Sequence, residues 1–178
     1  MRQILTLIAA VTLSLAAHGQ LEMNNTKTVA VVKGSYIYNF AKNCQWNESF
    51  YETEVFKMAV YGDRDLYNEL IDKYDNRPIN NQVVEVVWVK DLDVLFDEQI
   101  IFLSEIKKND LILASNIAEE NGSLLITDFI GAISLGSIIN FVIVENTISF
   151  DLNLAQAVTN DINLGNRMNN WANKIVEE

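Results

Sequence analysis

The chain has 178 residues, and its 24 Asp and Glu residues outnumber its 13 Lys and Arg residues, giving a net charge of −11 at pH 7. This excess of negative charge repels phosphate backbones and anionic lipid headgroups, so we expect no nucleic-acid partner. One histidine, His18, and one cysteine, Cys44, leave too few residues for a disulfide within the chain or for a zinc site with several histidine ligands.

The first nineteen residues have the layout of a secretory signal peptide. Arg2 precedes an almost uninterrupted apolar run, and Ala17-His18-Gly19 places small residues where a signal peptidase acts. The run has about 14 residues, fewer than the roughly 20 that cross a bilayer as a helix. We therefore expect cleavage near Gly19/Gln20 instead of an uncleaved anchor, no membrane insertion of the mature chain, and loss of His18.

Beyond the leader, residues 20–178 read as a single domain in which strands and helices alternate. Helices are predicted over 28–44, 65–74 and 109–119, and strands over 55–61, 83–89, 99–103 and 123–127. In the third helix Leu111, Leu113 and Ile117 are expected to face inward or nearly so.

The last forty or so residues are predicted to form a hairpin and one or two closing helices. Two β-branched segments, 137–144 and 147–152, flank the two-residue turn Glu145-Asn146. Within this hairpin, Phe141 and Phe150 are expected to form a cross-strand core pair. The predicted fold class is α/β, a single-domain mixed and mostly parallel β-sheet flanked by helices, with an antiparallel C-terminal hairpin.

The catalytic motifs that we sought are absent from the sequence. Gly62-Asp63 ends a predicted strand, but the glycines and lysine of a phosphate-binding loop do not follow, so we interpret it as a turn and helix cap. The acidic residues are dispersed, and no G-x-S-x-G motif occurs. We expect no catalytic residues, no metal and no cofactor; a hydrolase that uses paired carboxylates stays open as an alternative.

Two segments of the sequence, one near each end, form an ordered pair of motifs. The first is Lys33 to Lys42 (KGSYIYNFAK), followed by Gln45-Trp46. The second runs from Ile139-Asn140-Phe141 through Ile148 to Asn153 (ISFDLN) and on to Ala157, Leu164 and Arg167. The pair resembles the opening helix and the closing hairpin and helix of the YfiR-like (DUF4154) family of bacterial periplasmic proteins. Together with the strands between them, the resemblance covers roughly residues 27–175.

The resemblance implies regulation instead of catalysis. It implies a periplasmic protein, often a homodimer, that binds the extracytoplasmic portion of an inner-membrane signalling protein such as a diguanylate cyclase or a sensor kinase. Better-known members carry cysteine pairs, whereas this chain has Cys44 alone, so control through an intramolecular disulfide is not implied. A small periplasmic ligand-binding module that senses a solute is the alternative.

Five residues of the matched segments are candidates for binding a partner or ligand. They are Tyr38, Asn39, Lys42, Trp46 and Asn153. Tyr38 and Lys42 lie four positions apart and away from the apolar face of the first helix, and aromatic residues are enriched in interface cores. For Asn39, Trp46 and Asn153 a role inside the fold, capping backbone groups or filling the core, is the competing interpretation.

Overall fold

The computed structural model describes residues 26–95 and 97–177; the predicted signal peptide and its cleavage site lie outside these ranges. The helices are α1 Thr26–Asn43, α2 Arg64–Tyr74, α3 Leu111–Asn121, α4 Leu154–Thr159 and α5 Asn166–Trp171. The strands are β1 Cys44–Gln45, β2 Val55–Tyr61, β3 Pro78–Ile79, β4 Gln82–Trp88, β5 Ile100–Leu103, β6 Leu124–Thr127, β7 Ile139–Val144, β8 Thr147–Asn153, β9 Asn163–Leu164 and β10 Lys174–Val176.

Most of the strands form one mixed sheet in the order β10-β8-β7-β6-β5-β2-β4-β3. Neighbours from β4 to β7 in this order run parallel, whereas β3 and β8 run antiparallel to β4 and β7. The mostly parallel sheet, the flanking helices and the antiparallel hairpin confirm the predicted α/β class. Within the hairpin, Phe141 pairs with Phe150 as expected.

Helices cover both faces of the sheet because its central strands are apolar on both sides. In β2, Met58 and Val60 pack toward α1 and α2, while Ala59 and Tyr61 belong to a second core beneath α3. This is the period-two alternation of a strand that is buried on both faces. Gly34 of α1 lets α2 approach closely, since a Cβ at this position would lie 3.2 Å from Glu69 Cγ.

Three details of the prediction need correction. Leu113 of α3 does not face inward: it is 47 % exposed, and small side chains such as Ala114 and Ala118 face the sheet instead. The C-terminal segment contains the helices α4 and α5 but also a strand, β10, which pairs in parallel with β8. Short strands at β3, β1 and β9 were also not predicted. Among the described residues, no helix is both long and apolar enough to cross a membrane.

Cys44, the first residue of β1, is buried, with its Sγ 3.4 Å from Met168 Sδ. Burial raises the pKa of the Cys44 thiol well above its ordinary value, because the thiolate would lose its hydration. The unfolded chain therefore ionises Cys44 at a lower pH than the folded chain does, so this site favours unfolding as the pH rises past roughly 8.5.

In urea titrations, the difference in the free energy of unfolding between the wild type and Cys44→Ala should shrink between about pH 8 and 10. A difference that stays constant would contradict a buried, neutral thiol.

Candidate functional site

The order of the parallel strands identifies one edge of the sheet as the place to look for a binding site. From β2 the chain crosses through α2 to β4 on one side, and β5 then lies on the other side of β2. In open α/β sheets, ligands bind outside the carboxyl ends of the strands at such a reversal. Here those ends are Tyr61 and Leu103.

A buried lysine from α1 reaches this edge. Lys33 is 8 % exposed, although lysine is rarely buried without a partner. Its Nζ lies 2.6 Å from Asp128 Oδ2, 3.5 Å from Asp63 Oδ2 and 5.4 Å from the centre of the Phe102 ring. One ammonium group thus meets two carboxylates in a partly desolvated setting, where charge-assisted hydrogen bonds are strong.

The two carboxylates also hold the neighbouring backbone. Asp63 caps α2 by accepting a hydrogen bond from the backbone N–H of Leu66 at 2.9 Å. Asp128, just after β6, accepts a hydrogen bond through Oδ1 from the backbone N–H of Glu105 at 2.8 Å. The Lys33 network therefore fixes α1, the start of α2 and the segments that follow β5 and β6 relative to one another.

Exposed isoleucines surround this network. Ile106, after β5, is 76 % exposed; Ile130, after β6, is 102 % exposed; and Ile143, near the end of β7, is 70 % exposed. Large apolar side chains that cluster on a surface mark interaction sites more often than isolated ones do. We call these three residues, with Lys33 and Asp128 between them, the carboxyl-edge surface.

The carboxyl-edge surface contains three adjoining depressions. One of about 500 Å³ is lined by Lys33, Asp63 and Ile106, and one of about 460 Å³ by Asp128, Ile130 and Ile143. A smaller one of about 110 Å³ shares Lys33 with the first and Asp128 with the second. The charged network thus lies between a mainly polar depression and a mainly apolar one, which suits an extended or multi-point contact.

Three of the sequence-predicted site residues lie together on α1, away from the carboxyl-edge surface. Tyr38 is half-buried and stacks on Tyr74 with 4.5 Å between ring centres, and Lys42 Nζ lies 5.7 Å from the centre of the Tyr38 ring. Asn39 is exposed and donates a hydrogen bond from Nδ2 to the Ser35 carbonyl at 2.9 Å. Tyr38 and Lys42 therefore form one local pair.

The other two predicted residues have structural contacts beside a different groove. Trp46 is 6 % exposed and donates from Nε1 to the Gln99 carbonyl at 3.0 Å. Asn153 caps α4, accepting a hydrogen bond from the Gln156 backbone N–H at 2.9 Å. Trp46 and Leu154, the residue after Asn153, both line a groove of about 490 Å³.

Sequence reasoning did not single out the Lys33 network, yet part of its signal is present in the sequence. Lys33 lies three residues after Ala30 and four before Ile37, so it falls within the buried stripe of α1. A lysine at such a position needs an acidic partner. Asp128 directly follows a predicted strand, and Asp63 lies two residues after another. The order of the strands in the sheet decides whether these two strand ends lie close together.

Comparison with known proteins agrees with the fold and with the matched segments. No curated protein matches the chain. The model of the YfiR/HmsC-like family (DUF4154) matches residues 30–173, which include Lys33, Asp63, Asp128 and the strands from β1 to β9. The chain therefore belongs to the YfiR/HmsC-like family of periplasmic regulatory proteins.

Proposed function

We propose that the protein is a non-enzymatic periplasmic regulator that binds the extracytoplasmic part of an inner-membrane signalling protein, a diguanylate cyclase or a sensor kinase, and modulates its activity. The observation that carries this proposal is the carboxyl-edge surface, with Ile106, Ile130 and Ile143 exposed around a buried ion pair. Membership of a regulatory family supports the same function. A bound regulator shifts its partner between active and inactive states only through unequal affinity for the two.

The composition of this surface suits a protein partner. Burying an exposed isoleucine against a partner is favourable by about 25 cal/mol for each Å² of apolar surface that is removed from water. The Lys33 network keeps the segments that carry Ile106 and Ile130 in fixed positions, and such preorganisation lowers the entropy lost on binding.

Co-purification from the native host's membranes tests this function. The variant Ile106→Ser/Ile130→Ser/Ile143→Ser removes the apolar groups of the carboxyl-edge surface. The control, Ile112→Ser/Leu113→Ser/Val158→Ser, removes three exposed apolar groups from α3 and α4. We expect the tagged wild type and the control to recover one signalling protein, and the edge variant to recover at least about tenfold less of it. Equal recovery by both variants, or no signalling protein with the wild type, would contradict the proposal.

A solute-sensing module is the second candidate function, favoured by the groove beside Trp46. Its walls combine apolar residues with the amides of Asn47, Asn163 and Asn169, and Asn169 Oδ1 is buried without a hydrogen-bond partner among the described residues. Clefts of this size and mixed character bind small molecules. A metabolite that raises the melting temperature, with Asn169→Ala abolishing the shift and no membrane partner recovered, would favour this candidate.

We also propose that the protein forms a homodimer, as the family resemblance implies. An exposed aromatic residue outside the carboxyl-edge surface, Trp171 on α5, offers area for such a contact. Light scattering during size-exclusion chromatography measures the mass directly. A monomer at tens of micromolar would contradict the dimer without affecting the proposed partner.

A further inference from the structure

One strand of the sheet extends past its neighbour at the carboxyl edge. The pairing of β7 with β6 ends where Asn140 lies beside Thr127, whereas the pairing of β7 with β8 continues to Val144 beside Thr147. Residues 141–144 therefore have a strand partner on one side only within the described chain. Their other side opens onto the depression of about 460 Å³ that Asp128, Ile130 and Ile143 line.

This open edge lacks the features that usually protect exposed strands. Natural proteins place proline, lysine or bulges at such edges to prevent pairing with other chains. The outer strands of this sheet follow that rule, since β3 begins with Pro78 and β10 begins with Lys174. The open segment of β7 reads Phe-Val-Ile-Val, with Ile143 70 % and Val144 37 % exposed.

The charge next to the open edge favours a basic occupant. Asp128 is already paired with Lys33 at 2.6 Å. Glu105, which lines the same depression, has a side chain that is 66 % exposed and lies 4.0 Å from Lys108, at the limit of an ion pair. A basic side chain of a partner could therefore pair with Glu105 with little competition from Lys108. Opposite charges at the rim of an interface speed association and help to select partners.

We propose that the carboxyl-edge surface binds an extended segment of its partner as an added strand along residues 141–144 of β7. Main-chain hydrogen bonds supply the affinity in this mode, and side-chain hollows supply the selectivity. An apolar side chain of the segment packs between Ile130 and Ile143, and a basic side chain pairs with Glu105. This inference rests on the proposed function, because it names the kind of segment that the signalling protein contributes.

A synthetic peptide of alternating residues, acetyl-KVTVKV-amide, is the probe for this mode. Titrated into isotopically labelled protein, it should bind with a dissociation constant of about 0.1–1 mM and shift the amide resonances of 128–131 and 141–144. Two further peptides carry N-methyl groups on alternate residues, one in each register. Because only every second amide of a strand faces its neighbour, one methylated register should bind at least about tenfold more weakly and the other should bind normally.

Charge reversal gives a second, independent readout. Glu105→Lys should weaken the lysine peptide at least about tenfold and favour acetyl-EVTVEV-amide instead, while Ile143→Lys, which adds a like charge at the open edge, should also weaken the lysine peptide. Ile112→Lys is the matched control, an exposed isoleucine on α3 that lines none of the three depressions, and it should bind as the wild type does. Folding of each variant is checked from its amide spectrum.

Several results would overturn the added strand. They are no binding at about 1 mM peptide, equal effects of the two methylated registers, or shifts confined to β8 or to the groove beside Trp46. The amides of 141–144 could be protected from hydrogen exchange in the protein without peptide and lose that protection when dilution yields the monomer. That result would assign the open edge to a second copy of the chain. Membrane capture that is lost in the triple isoleucine variant but unchanged in Glu105→Lys would remove this inference and leave the proposed function standing.

Discussion

Replacing Lys33 with alanine is expected to lower the free energy of unfolding by about 3–5 kcal/mol, since it leaves Asp128 and Asp63 without their cation in a partly buried site. The Lys33 and Asp128 side chains are 9 % and 13 % exposed, so water replaces the lost contact poorly. Urea titration followed by circular dichroism measures the loss. Lys108→Ala, which removes the exposed pair with Glu105, is the control and should leave the unfolding midpoint unchanged.

A double-mutant cycle separates the ion pair from the packing of the lysine stem. Lys33→Met keeps an apolar chain of similar length. Asp128→Asn removes the carboxylate charge that Lys33→Met leaves without a cation. If the pair matters through charge, the double variant should be at least about 1 kcal/mol more stable than the sum of the single losses predicts. Additive losses, or a Lys33→Ala loss no larger than that of Lys108→Ala, would contradict the structural account of this site.

Replacing Phe150 with alanine is expected to cost about 3–5 kcal/mol of stability through the cavity that it leaves. Phe150 is fully buried, and its ring lies edge-on to Phe40 at 4.8 Å and to Tyr36 at 5.5 Å between ring centres. Through these contacts the hairpin that carries Ile143 is packed against α1, which carries Lys33. The same urea titration measures the loss.

Phe150→Leu is the matched control for that cavity. It keeps most of the apolar volume, so we expect it to cost less than half of what alanine costs. A Phe150→Ala protein that unfolds at the wild-type midpoint would show that the hairpin does not depend on the aromatic cluster.

The sequence was sufficient for the fold class because its elements carry strong local patterns. The segment 55–61 is β-branched and ends at Gly62-Asp63, and Asp63 does cap the following helix. The strand β10 was not predicted because three residues in a helix-like segment carry no clear strand pattern. Their pairing with β8 is a long-range contact. Leu113 was misassigned because α3 carries more apolar residues than its narrow, alanine-lined contact with the sheet can bury.

The candidate site was harder to predict than the fold. The buried stripe of α1 places Lys33 inside, but its partner Asp128 lies 95 residues away and is brought there only by the order of β2, β5 and β6. The overhang of β7 likewise depends on where β6 ends. The predicted binding residues Tyr38, Asn39, Lys42, Trp46 and Asn153 stay predictions, with Asn153 already engaged as a helix cap.

Photo-crosslinking in living cells tests the central claim, that the carboxyl-edge surface is where the protein meets its membrane partner. A photoreactive amino acid is introduced at position 130, 143 or 106, and at 112 or 158 as exposed controls on other surfaces. We predict that the three edge positions crosslink to one inner-membrane signalling protein and that the controls do not. Crosslinks to that protein from 112 or 158, with none from 130 and 143, would contradict the account.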